Sequence, residues 1–369
     1  MDVIATADAK TAARLPDLNE MLVQVAERGG SDLHLTVGRP PTTRINGKLY
    51  PLDAPMLLPK DTKELLYSIM TQEQRDLLER NWEYDFAHSI MGKARFRVNA
   101  YFQRGSIGAA FRLIPTEIKT FEQLGLPAAV QTLANKPRGF VLVTGPTGSG
   151  KTTTLASIID HINETRAVHI ITIEDPIEYL HAHKLAMVNQ REVGSDTKTF
   201  GHALKFILRQ DPDVILIGEM RDLETVQAAL TAAETGHLVF ATLHTQDAAQ
   251  TIDRVIDVFP PYQQQQVRIQ LAGTLQGILS QQLLPTIDGR ARVLACEVLL
   301  MTPAIRNLIR EAKTHQLQTA MQTGHQYGMV TMDESLADKY RRGLISYDMA
   351  LTQAVDSAVL KQLLGKAGS

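Results

Sequence analysis

The first hundred residues mix the apolar spacings of helices and strands. Residues 18–28 carry apolar side chains three and four positions apart, which predicts a helix that ends at Gly29 and Gly30. Residues 31–37 alternate between polar and apolar positions, as a half-buried strand does. Similar patterns predict a hairpin turn at Asn46-Gly47, two polar-faced helices over 61–80 that break near Thr71, and paired strands over 94–102 and 107–114.

A second pattern begins after residue 126. Short apolar runs without clean alternation occur there, and such runs are typical of strands buried on both faces of a parallel sheet. Helix-compatible segments separate them, so we predict a parallel sheet with helices on both sides. The predicted strands are 139–144, 169–174, 213–219 and 237–244, and the predicted helices are 151–163, 200–210 and 222–235.

These patterns divide the chain into domains. No stretch approaches the roughly 20 apolar residues of a membrane-spanning helix, and the first 17 residues lack the apolar segment of a signal peptide. We therefore expect any attachment to a membrane to be made through a partner. The expected divisions are a loose tail over 1–17, an α+β domain over 18–114, a linker over 115–125, an α/β core over 126–301 and a mostly helical region over 302–369.

Composition narrows the functional classes. The chain of 369 residues has a formal net charge of −2, which gives it no overall attraction to nucleic acid or to an anionic membrane. Its one cysteine, Cys296, excludes an internal disulfide and a cysteine-cluster zinc site, and its apolar neighbours favour a place in the core. We therefore expect a protein of the reducing cytoplasm that does not bind nucleic acid.

The segment GPTGSGKT fits the phosphate-binding pattern G-x-x-x-x-G-K-[ST]. Its glycines let backbone N–H groups turn towards phosphate oxygens, and the following helix directs its positive end at the anion. Lys151 supplies a positive charge for the β- and γ-phosphates of ATP, and the Thr152 hydroxyl can bind Mg²⁺. A flexible loop is the alternative, which the flanking strand and helix disfavour. The predicted nucleotide-binding residues are Gly145, Pro146, Thr147, Gly148, Ser149, Gly150, Lys151, Thr152 and Thr153.

Carboxylates follow two of the predicted strands. Phosphate hydrolysis needs one carboxylate to hold the metal and one to activate water, and such groups lie at the carboxyl ends of strands in open α/β sheets. Glu219 follows Gly218, where many phosphate-loop proteins carry aspartate, so Glu219 is our candidate metal ligand. Glu174, Asp175 and Glu178 follow the other strand, and an acidic turn in solvent is the alternative for them.

His237 and His244 lie at opposite ends of one predicted strand. The seven-residue offset separates them by ~20 Å and places them on opposite faces, so they do not form one metal site. His244, at the carboxyl end, is positioned to sense the γ-phosphate, whereas His237 should not touch the same nucleotide. A structural role is the alternative for each.

Two arginines are predicted to face each other across a strand pair. If residues 103–106 form the hairpin turn, Phe102 pairs with Ile107 and Arg97 lies opposite Arg112. Like charges in that position are destabilising. We therefore expect an anion between them, and a nucleoside triphosphate from this chain or a neighbouring one is the leading candidate. Alternatively, the arginines turn apart in solvent or pair with acidic residues elsewhere.

Taken together, these segments resemble the secretion ATPase superfamily, and within it the PilT-type retraction ATPases of type IV pili. The resemblance covers most of residues 18–311 in the family's order, which is far more specific than a phosphate loop alone. The segments that carry it are SDLHLTVGRPP (31–41), RFRVNAYFQRG (95–105), GPTGSGKTTTLA (145–156), ITIEDPIEYLH (171–181), LRQDPDVILIGEMRD (208–222), GHLVFATLHT (236–245) and AIRNLIRE (304–311).

The resemblance implies a PAS-like N-terminal domain, a RecA-like ATPase core, and a homohexameric ring that binds ATP and Mg²⁺ between the two domains. It also implies residue roles: Glu178 as the base that activates water, Glu219 as the Walker B glutamate, His237 and His244 as the His-box pair, and Arg97 and Arg112 as arginines that complete the site. Arg104, Glu174 and Asp175 lie in the same motifs and are further candidates.

The segment AIRNLIRE matches the motif that the family associates with retraction. Its apolar positions predict one face of a helix, and ordinary core packing is the alternative for them. The residues of the motif are Ala304, Ile305, Arg306, Asn307, Leu308, Ile309, Arg310 and Glu311.

The resemblance implies an ATP-driven motor that retracts type IV pili in twitching motility and acts on an inner-membrane platform protein. The chain lacks the four-cysteine zinc module of extension and type II secretion relatives, and little precedes residue 18, so we expect retraction. An accessory retraction ATPase beside a main motor and a weakly hydrolysing ring scaffold stay open as alternatives. A nucleic-acid translocase is disfavoured by the net charge of −2.

Overall fold

The computed structural model describes residues 15–115 and 117–365 of the chain, which divides into two units, Met1–Thr116 and Glu117–Ser369. Residues 1–14 of the tail that we expect over 1–17 lie outside the described residues. Asp17 caps the first helix, because its carboxylate accepts a hydrogen bond from the backbone N–H of Asn19 at 2.8 Å. None of the helices within the described ranges is long and apolar enough to span a membrane.

The first unit is an antiparallel sheet with helices packed against it. Its described strands lie in the order β3-β2-β1-β6-β5-β4, and every neighbouring pair is antiparallel. The elements are α1 (Leu18–Glu27), β1 (Asp32–Leu35), β2 (Thr42–Ile45), β3 (Lys48–Pro51), α2 (Pro59–Tyr67), α3 (Gln72–Asn81), β4 (Glu83–Ile90), β5 (Ala94–Gln103) and β6 (Ser106–Ile114).

The periodicities of this unit are confirmed. Leu18, Met21, Leu22 and Val25 of α1 are fully buried in one core with Phe96 and Phe111 of the sheet. Asn46 and Gly47 form the turn between β2 and β3 with positive φ angles of 49° and 81°. Thr71 separates the two helices as the N-cap of α3, where its hydroxyl accepts from the backbone of Gln74.

The second unit contains a mostly parallel sheet and helices on both of its faces. Its elements are α4 (Phe121–Leu124), α5 (Ala128–Ala134), β7 (Gly139–Thr144), α6 (Lys151–Thr165), β8 (His169–Glu174), β9 (Met187–Glu192), α7 (Phe200–Ile207), β10 (Val214–Ile217), α8 (Leu223–Glu234), β11 (Leu238–Leu243), α9 (Ala248–Asp257), α10 (Pro261–Thr274), β12 (Leu275–Pro285), β13 (Arg292–Leu300), α11 (Pro303–Arg310), α12 (Leu317–Gln322), α13 (Met332–Arg341), α14 (Tyr347–Gln353) and α15 (Ser357–Gly365). Short 3₁₀ turns occupy Thr314–Gln316 and His325–Tyr327.

The described strands of this sheet lie in the order β13-β12-β7-β11-β10-β8-β9, and all neighbours are parallel except β12 and β13. Alternate residues of β7 enter the two cores: Phe140 and Leu142 on one face, and Val141 and Val143 on the other. The central strands are buried on both faces, as their continuous apolar runs predict. The fold of the chain is therefore mixed α/β.

Several elements differ from the expectations. The helix predicted over 200–210 ends at Ile207, and the strand predicted over 213–219 is regular only over Val214–Ile217. The segment expected as a linker contains the short helix α4. The pattern did not predict β9, β12 and β13, because β9 is a half-exposed edge strand and the two others interrupt their apolar runs with buried polar residues such as Gln281 and Glu297.

The predicted register of the arginine pair is confirmed, since Phe102 pairs with Ile107 and Arg97 lies opposite Arg112. Asp32, on the neighbouring strand β1, lies beside Arg112, and their closest atoms are 3.0 Å apart. In this structure Arg112 thus pairs with an acidic residue, which is one of the alternatives stated above.

The Asp32 carboxylate is shared by two arginines and is nearly buried. The Arg44 Nε atom lies 3.9 Å from its second oxygen. Burial favours the protonated acid, but hydrogen bonds from Ser31 and Arg112 outweigh burial, so the pKa of Asp32 is lowered from its usual value. This residue supplies negative charge to a sheet face that carries Arg44, Arg97 and Arg112.

We expect Asp32→Asn to destabilise the first unit by about 1 kcal/mol, because two arginines then lose their charged partner. Thermal unfolding at neutral pH measures the loss. The control is Asp85→Asn, which changes an exposed acid that accepts from Asn99 on the same sheet. The difference from the wild type should shrink as the pH falls through the pKa of Asp32; an equal effect of both variants would contradict the charge argument.

Candidate nucleotide-binding site

The glycine-rich segment forms a loop between β7 and α6. Gly145 begins the loop with a φ angle of 138°, and a Cβ atom built there would collide with the carbonyl oxygen of Gln281 and lie 2.6 Å from Ser149 Oγ. Gln281 belongs to β12, next to β7 in the sheet. Only glycine fits this position, so the loop packs closely against the neighbouring strand.

Lys151 is the first residue of α6 and turns its ammonium group back into the loop. Its Nζ donates to the carbonyl oxygens of Gly145 at 2.7 Å and Pro146 at 3.1 Å. Burial lowers the pKa of Lys151, and the charge of Glu219 opposes that shift. Ser149 Oγ is buried and has no hydrogen-bond partner among the described residues. The loop therefore offers a cation and an unsatisfied hydroxyl, which suits a phosphate.

A cavity of about 660 Å³ opens beside the loop, a volume that suits a nucleotide. Its walls come from the loop, the start of α6 and the segments after β8, β10 and β11. The predicted site residues that line it are Thr147, Gly148, Gly150, Lys151, Thr152, Thr153, Glu174, Asp175, Glu178, Glu219 and His244. Gly145, Pro146 and Ser149 belong to the loop outside this lining, and Arg97, Arg104 and Arg112 belong to the first unit.

Glu219 follows β10 and carries a paired carboxylate. One oxygen accepts a hydrogen bond from Arg221 at 2.6 Å, and the other lies 3.1 Å from His244 Nε2. The hydrogen bond from Arg221 lowers the pKa of Glu219; burial opposes this, and the charges of His244, Arg221 and Lys151 reinforce it. Glu219 is therefore an ionised carboxylate at the edge of the cavity, as a metal ligand must be.

Gly218, which stands where many phosphate-loop proteins carry aspartate, lies in a crowded position. A Cβ atom at this position would lie 3.2 Å from the carbonyl oxygen of Ile173 and 3.3 Å from the Cα atom of Glu174. The backbone N–H of Gly218 also donates to Ile173 at 2.7 Å. A larger residue here would require the ends of β10 and β8 to shift by a few tenths of an ångström, and Glu219 is the acid that follows Gly218 at this strand end.

Glu174 ends β8 and is 7% exposed. Its carboxylate accepts hydrogen bonds from Thr172 Oγ1 at 2.6 Å and from Gln190 Nε2 of β9 at 3.1 Å. Burial raises the pKa of Glu174, although these hydrogen bonds oppose the shift. Glu174 therefore joins β8 to β9 beneath the acidic loop, whereas Asp175 is exposed at the start of that loop.

Glu178 lies on the loop after β8 and lines the cavity. The loop is tied down on both sides of this residue: the Ile177 N–H donates to the Glu192 carboxylate at 3.1 Å, and the hydroxyls of Tyr179 and Thr153 are 3.0 Å apart. The contact with Thr153 connects the loop to the first turn of α6. Glu178 is thus held close to the phosphate loop by its neighbours along the chain.

The two histidines occupy opposite ends of β11. His244 lines the cavity and contacts Glu219. His237 Nδ1 lies 2.9 Å from the carbonyl oxygen of Ala232 and 3.2 Å from Thr235 Oγ1, at the end of α8. His237 therefore contacts the turn before its own strand and is not part of the cavity lining.

Among the cavity residues that the sequence did not predict, four carry basic side chains: His181, Lys198, Arg221 and Arg292. Arg221 stands two positions after Glu219, and His181 ends the segment ITIEDPIEYLH, so both were close to a recognised signal. Lys198 and Arg292 come from parts of the chain that carry no motif. Only the folded chain brings these cations to the cavity.

The motif 304–311 forms α11 and its C-cap. Ile305 and Ile309 are buried in the core and Leu308 is half-buried, as the helical spacing predicts. Arg306 donates to the carbonyl oxygens of Ala272 and Gly273 in the last turn of α10. Part of the motif is therefore structural, while Ala304, Asn307, Arg310 and Glu311 are exposed.

The loop, its lysine and the carboxylates at the strand ends are the features of a P-loop nucleotide-binding protein. The chain belongs to the family of type II/IV secretion system proteins, whose family model matches residues 7–308.

Individual relatives match over nearly the whole chain. The type IV pilus retractation ATPase PilT of Pseudomonas aeruginosa is 51% identical over 338 residues, which cover 92% of this chain and 98% of the relative. A twitching motility protein of Neisseria gonorrhoeae is 48% identical over 86% of this chain and 85% of its own length. The crystal structure of the pilus retraction motor PilT with bound ADP matches with a TM-score of 0.87 and 52% identity, over 94% of this chain and 99% of that one.

We expect Gly145→Ala to weaken ADP binding at least ~10-fold, equivalent to about 1.4 kcal/mol, because the new methyl group pushes the loop away from Gln281. Titration with a fluorescent ADP analogue measures the dissociation constant. The control is Gly273→Ala, since a Cβ atom there meets open space. Unchanged affinity in Gly145→Ala would show that the tight packing of the loop is dispensable.

The buried His181 should make the protein less stable to unfolding at acidic pH. Its ring is buried, with Nδ1 4.0 Å from Asp160, and burial lowers its pKa from 6.5 to about 4, against the attraction of Asp160. As the pH falls, His181 is protonated in the unfolded chain before it is protonated in the folded one. The free energy of unfolding should therefore decrease below pH 6.5, by about 2 kcal/mol at pH 5.

Unfolding temperatures at pH 7.5 and pH 5 measure this effect. The acid-induced decrease should be smaller in His181→Leu than in the wild type. The control His315→Leu, which changes an exposed histidine, should keep the full decrease. If His181→Leu also kept it, burial of this histidine would not be the cause.

Proposed function

We propose that the protein is an ATP-hydrolysing motor that drives the retraction of type IV pili and thereby twitching motility. The observation that carries the proposal is the meeting of the phosphate loop, Glu178, Glu219 and His244 around one cavity. The near full-length match to relatives named as retraction motors supports it further.

We assign each of the two units to a known type of domain as part of this proposal. The first is a PAS-like domain over 18–114, which fits an antiparallel sheet with helices packed against it. The second is a RecA-like core over 126–301, joined by a linker over 115–125 and followed by a helical region over 302–369. The parallel order of β7, β11, β10 and β8 beside the phosphate loop supports the assignment of the core.

ATP binds with its phosphates on the loop over 145–153. Lys151 exchanges its contacts with loop carbonyls for the β- and γ-phosphates, and Ser149 gains a partner. Thr152 and Glu219 would hold Mg²⁺, because both line the cavity and carry the oxygen atoms that Mg²⁺ prefers as ligands. When bound, Mg²⁺ would neutralise part of the negative charge of the phosphates.

Hydrolysis follows from the acids and cations around the cavity. Glu178 accepts a proton from a water molecule whose oxygen attacks the γ-phosphorus. The bond from that phosphorus to the β–γ bridging oxygen breaks, and ADP keeps the electron pair. His244 senses the γ-phosphate from its position beside Glu219, and Glu174 and Asp175 support the loop that carries Glu178. His237, outside the cavity lining, acts indirectly.

Arginines of a first unit complete the charge balance, from the same chain or a neighbouring one. Arg97 and Arg112 approach the triphosphate, and Arg104 in the hairpin turn is a further candidate. Arg112 must then exchange Asp32 for the nucleotide. This exchange makes the arginine contact depend on ATP, which suits a motor that alternates between open and closed states.

The motor works as a homohexamer on the cytoplasmic face of the inner membrane. Its partner there is the inner-membrane platform protein of the pilus, and an accessory retraction ATPase is a second partner. The exposed face of α11, with Asn307, Arg310 and Glu311, is available for the retraction motif to act on such a partner.

We expect Glu178→Ala to lower the steady-state ATPase rate at least ~100-fold, because a positioned base contributes that much. Affinity for ADP should stay within ~3-fold, since the loop and Lys151 are unchanged. Phosphate release measures the rate, and light scattering measures the size of the ring. The control is Glu122→Ala, an exposed acid on α4.

Two results would count against parts of this proposal. A Glu178→Ala variant that hydrolyses ATP like the wild type would remove Glu178 as the base. A wild type that forms a stable ring without hydrolysis would favour the scaffold alternative.

A further inference from the structure

Glu297 is a buried acid that binds the starts of two helices. It lies on β13 and is 1% exposed. One carboxylate oxygen accepts from the backbone N–H of Ala248 at 2.8 Å, and the other accepts from that of Met332 at 3.4 Å. Ala248 begins α9 and Met332 begins α13, so one side chain connects two elements that are far apart in the chain.

The helix α9 follows β11 in the chain, and His244 lies in the short segment between them. Only Thr245, Gln246 and Asp247 separate this histidine from Ala248. Asp247 caps α9 by accepting from Gln250 at 2.7 Å, and the hydroxyls of Thr245 and Thr251 are 2.6 Å apart. The segment 244–247 is thus anchored by β11 at one end and by the start of α9 at the other.

The surroundings of Glu297 disfavour the ionised form of its carboxyl group. Burial raises its pKa to about 7, the charges of Asp247 and Asp333 raise it too, and the two backbone N–H groups oppose the shift. No lysine, arginine or histidine within the described residues forms an ion pair with it. The two N–H groups belong to the first turns of α9 and α13, where the positive end of each helix also favours a negative charge. Without this carboxylate the two backbone N–H groups would lose their acceptor, so both helix starts depend on this one side chain.

We propose that Glu297 is a positioning residue for ATP hydrolysis. Its carboxylate holds the start of α9 beside the start of α13, and the fixed start of α9 holds the preceding segment, so that His244 stays in contact with Glu219. The inference rests on the proposed function.

Asp333 provides a matched control in the same region. It is fully buried, and its carboxylate accepts from the backbone N–H groups of Val355 at 2.9 Å and Asp356 at 3.1 Å. Burial raises its pKa as well. Unlike Glu297, it connects only elements of the C-terminal region, so it tests the loss of a buried acid without a contact to α9.

The first experiment is independent of catalysis. Amide hydrogen exchange over residues 244–250 is compared in the wild type, Glu297→Gln and Asp333→Asn. We expect exchange in this segment to rise at least ~10-fold in Glu297→Gln only, because the amide group of glutamine faces N–H donors and cannot replace both contacts. Equal protection of the segment in all three proteins would overturn the proposal.

The second experiment is a double-mutant cycle with His244→Ala, read as kcat. Glu297→Gln alone should lower kcat about 10-fold with ADP affinity unchanged, and it should add less than ~2-fold in the His244→Ala background. Asp333→Asn should leave kcat within ~2-fold in either background. A full effect of Glu297→Gln without His244 would show that the carboxylate does not act through this histidine.

A second variant protects the test if Glu297→Gln does not fold. Ala248→Pro removes the N–H group that Glu297 accepts from, and proline is favoured at the first position of a helix. Asp247 already has the extended backbone that a following proline requires, with φ −140° and ψ 170°. Ala248→Pro should reproduce the exchange and kcat effects; if it folds and behaves like the wild type, the proposal is wrong.

These results also separate the inference from the proposed function. A wild type without ATPase activity refutes the motor, while the hydrogen-exchange comparison still decides whether Glu297 fixes the segment 244–247. A wild type that is active but shows no coupling between positions 297 and 244 refutes the inference alone.

Discussion

The parallel pairing of β7, β11, β10 and β8 is the constraint on which the site depends. Parallel strands end at the same edge of a sheet, so the segments that follow them meet there. The phosphate loop follows β7, His244 follows β11, Glu219 follows β10 and Glu178 follows β8. The pairing of the strands alone therefore brings residues from four separate parts of the chain around one cavity.

The charges at this edge are paired with one another within the protein. Lys151 donates to the carbonyl oxygens of its own loop, and Glu219 is held between Arg221 and His244. Each of these contacts is polar and short. The same principle applies to Arg112, which Asp32 holds in the first unit. A site built in this way avoids unpaired buried charge and still leaves its groups ready to exchange partners.

Buried polar residues of β12 and β13 connect this edge to the rest of the second unit. The Gln281 backbone supports the phosphate loop at Gly145, and its side chain donates to Thr154 of α6 at 2.8 Å. Glu297 binds the starts of α9 and α13. Neither residue lines the cavity; Gln281 contacts α6, which does, and Glu297 binds the start of the helix that follows His244 and the segment 245–247. Their polarity interrupts the apolar runs of these strands, which is why the pattern of the sequence did not reveal them.

The sequence by itself determined the local structure and the chemical groups. Apolar runs fixed the central strands, the glycine spacing with Lys151 fixed the phosphate loop, and the alternation over 94–114 fixed the pairing of Arg97 with Arg112. Each depends on neighbours along the chain or on one hairpin. Only the tertiary structure decided that Asp32 neutralises Arg112, that His181 and Arg292 enter the cavity, and that Glu297 joins two helices. These contacts join residues from separate segments, and their energies come from burial and charge that exist only once the sheets have formed.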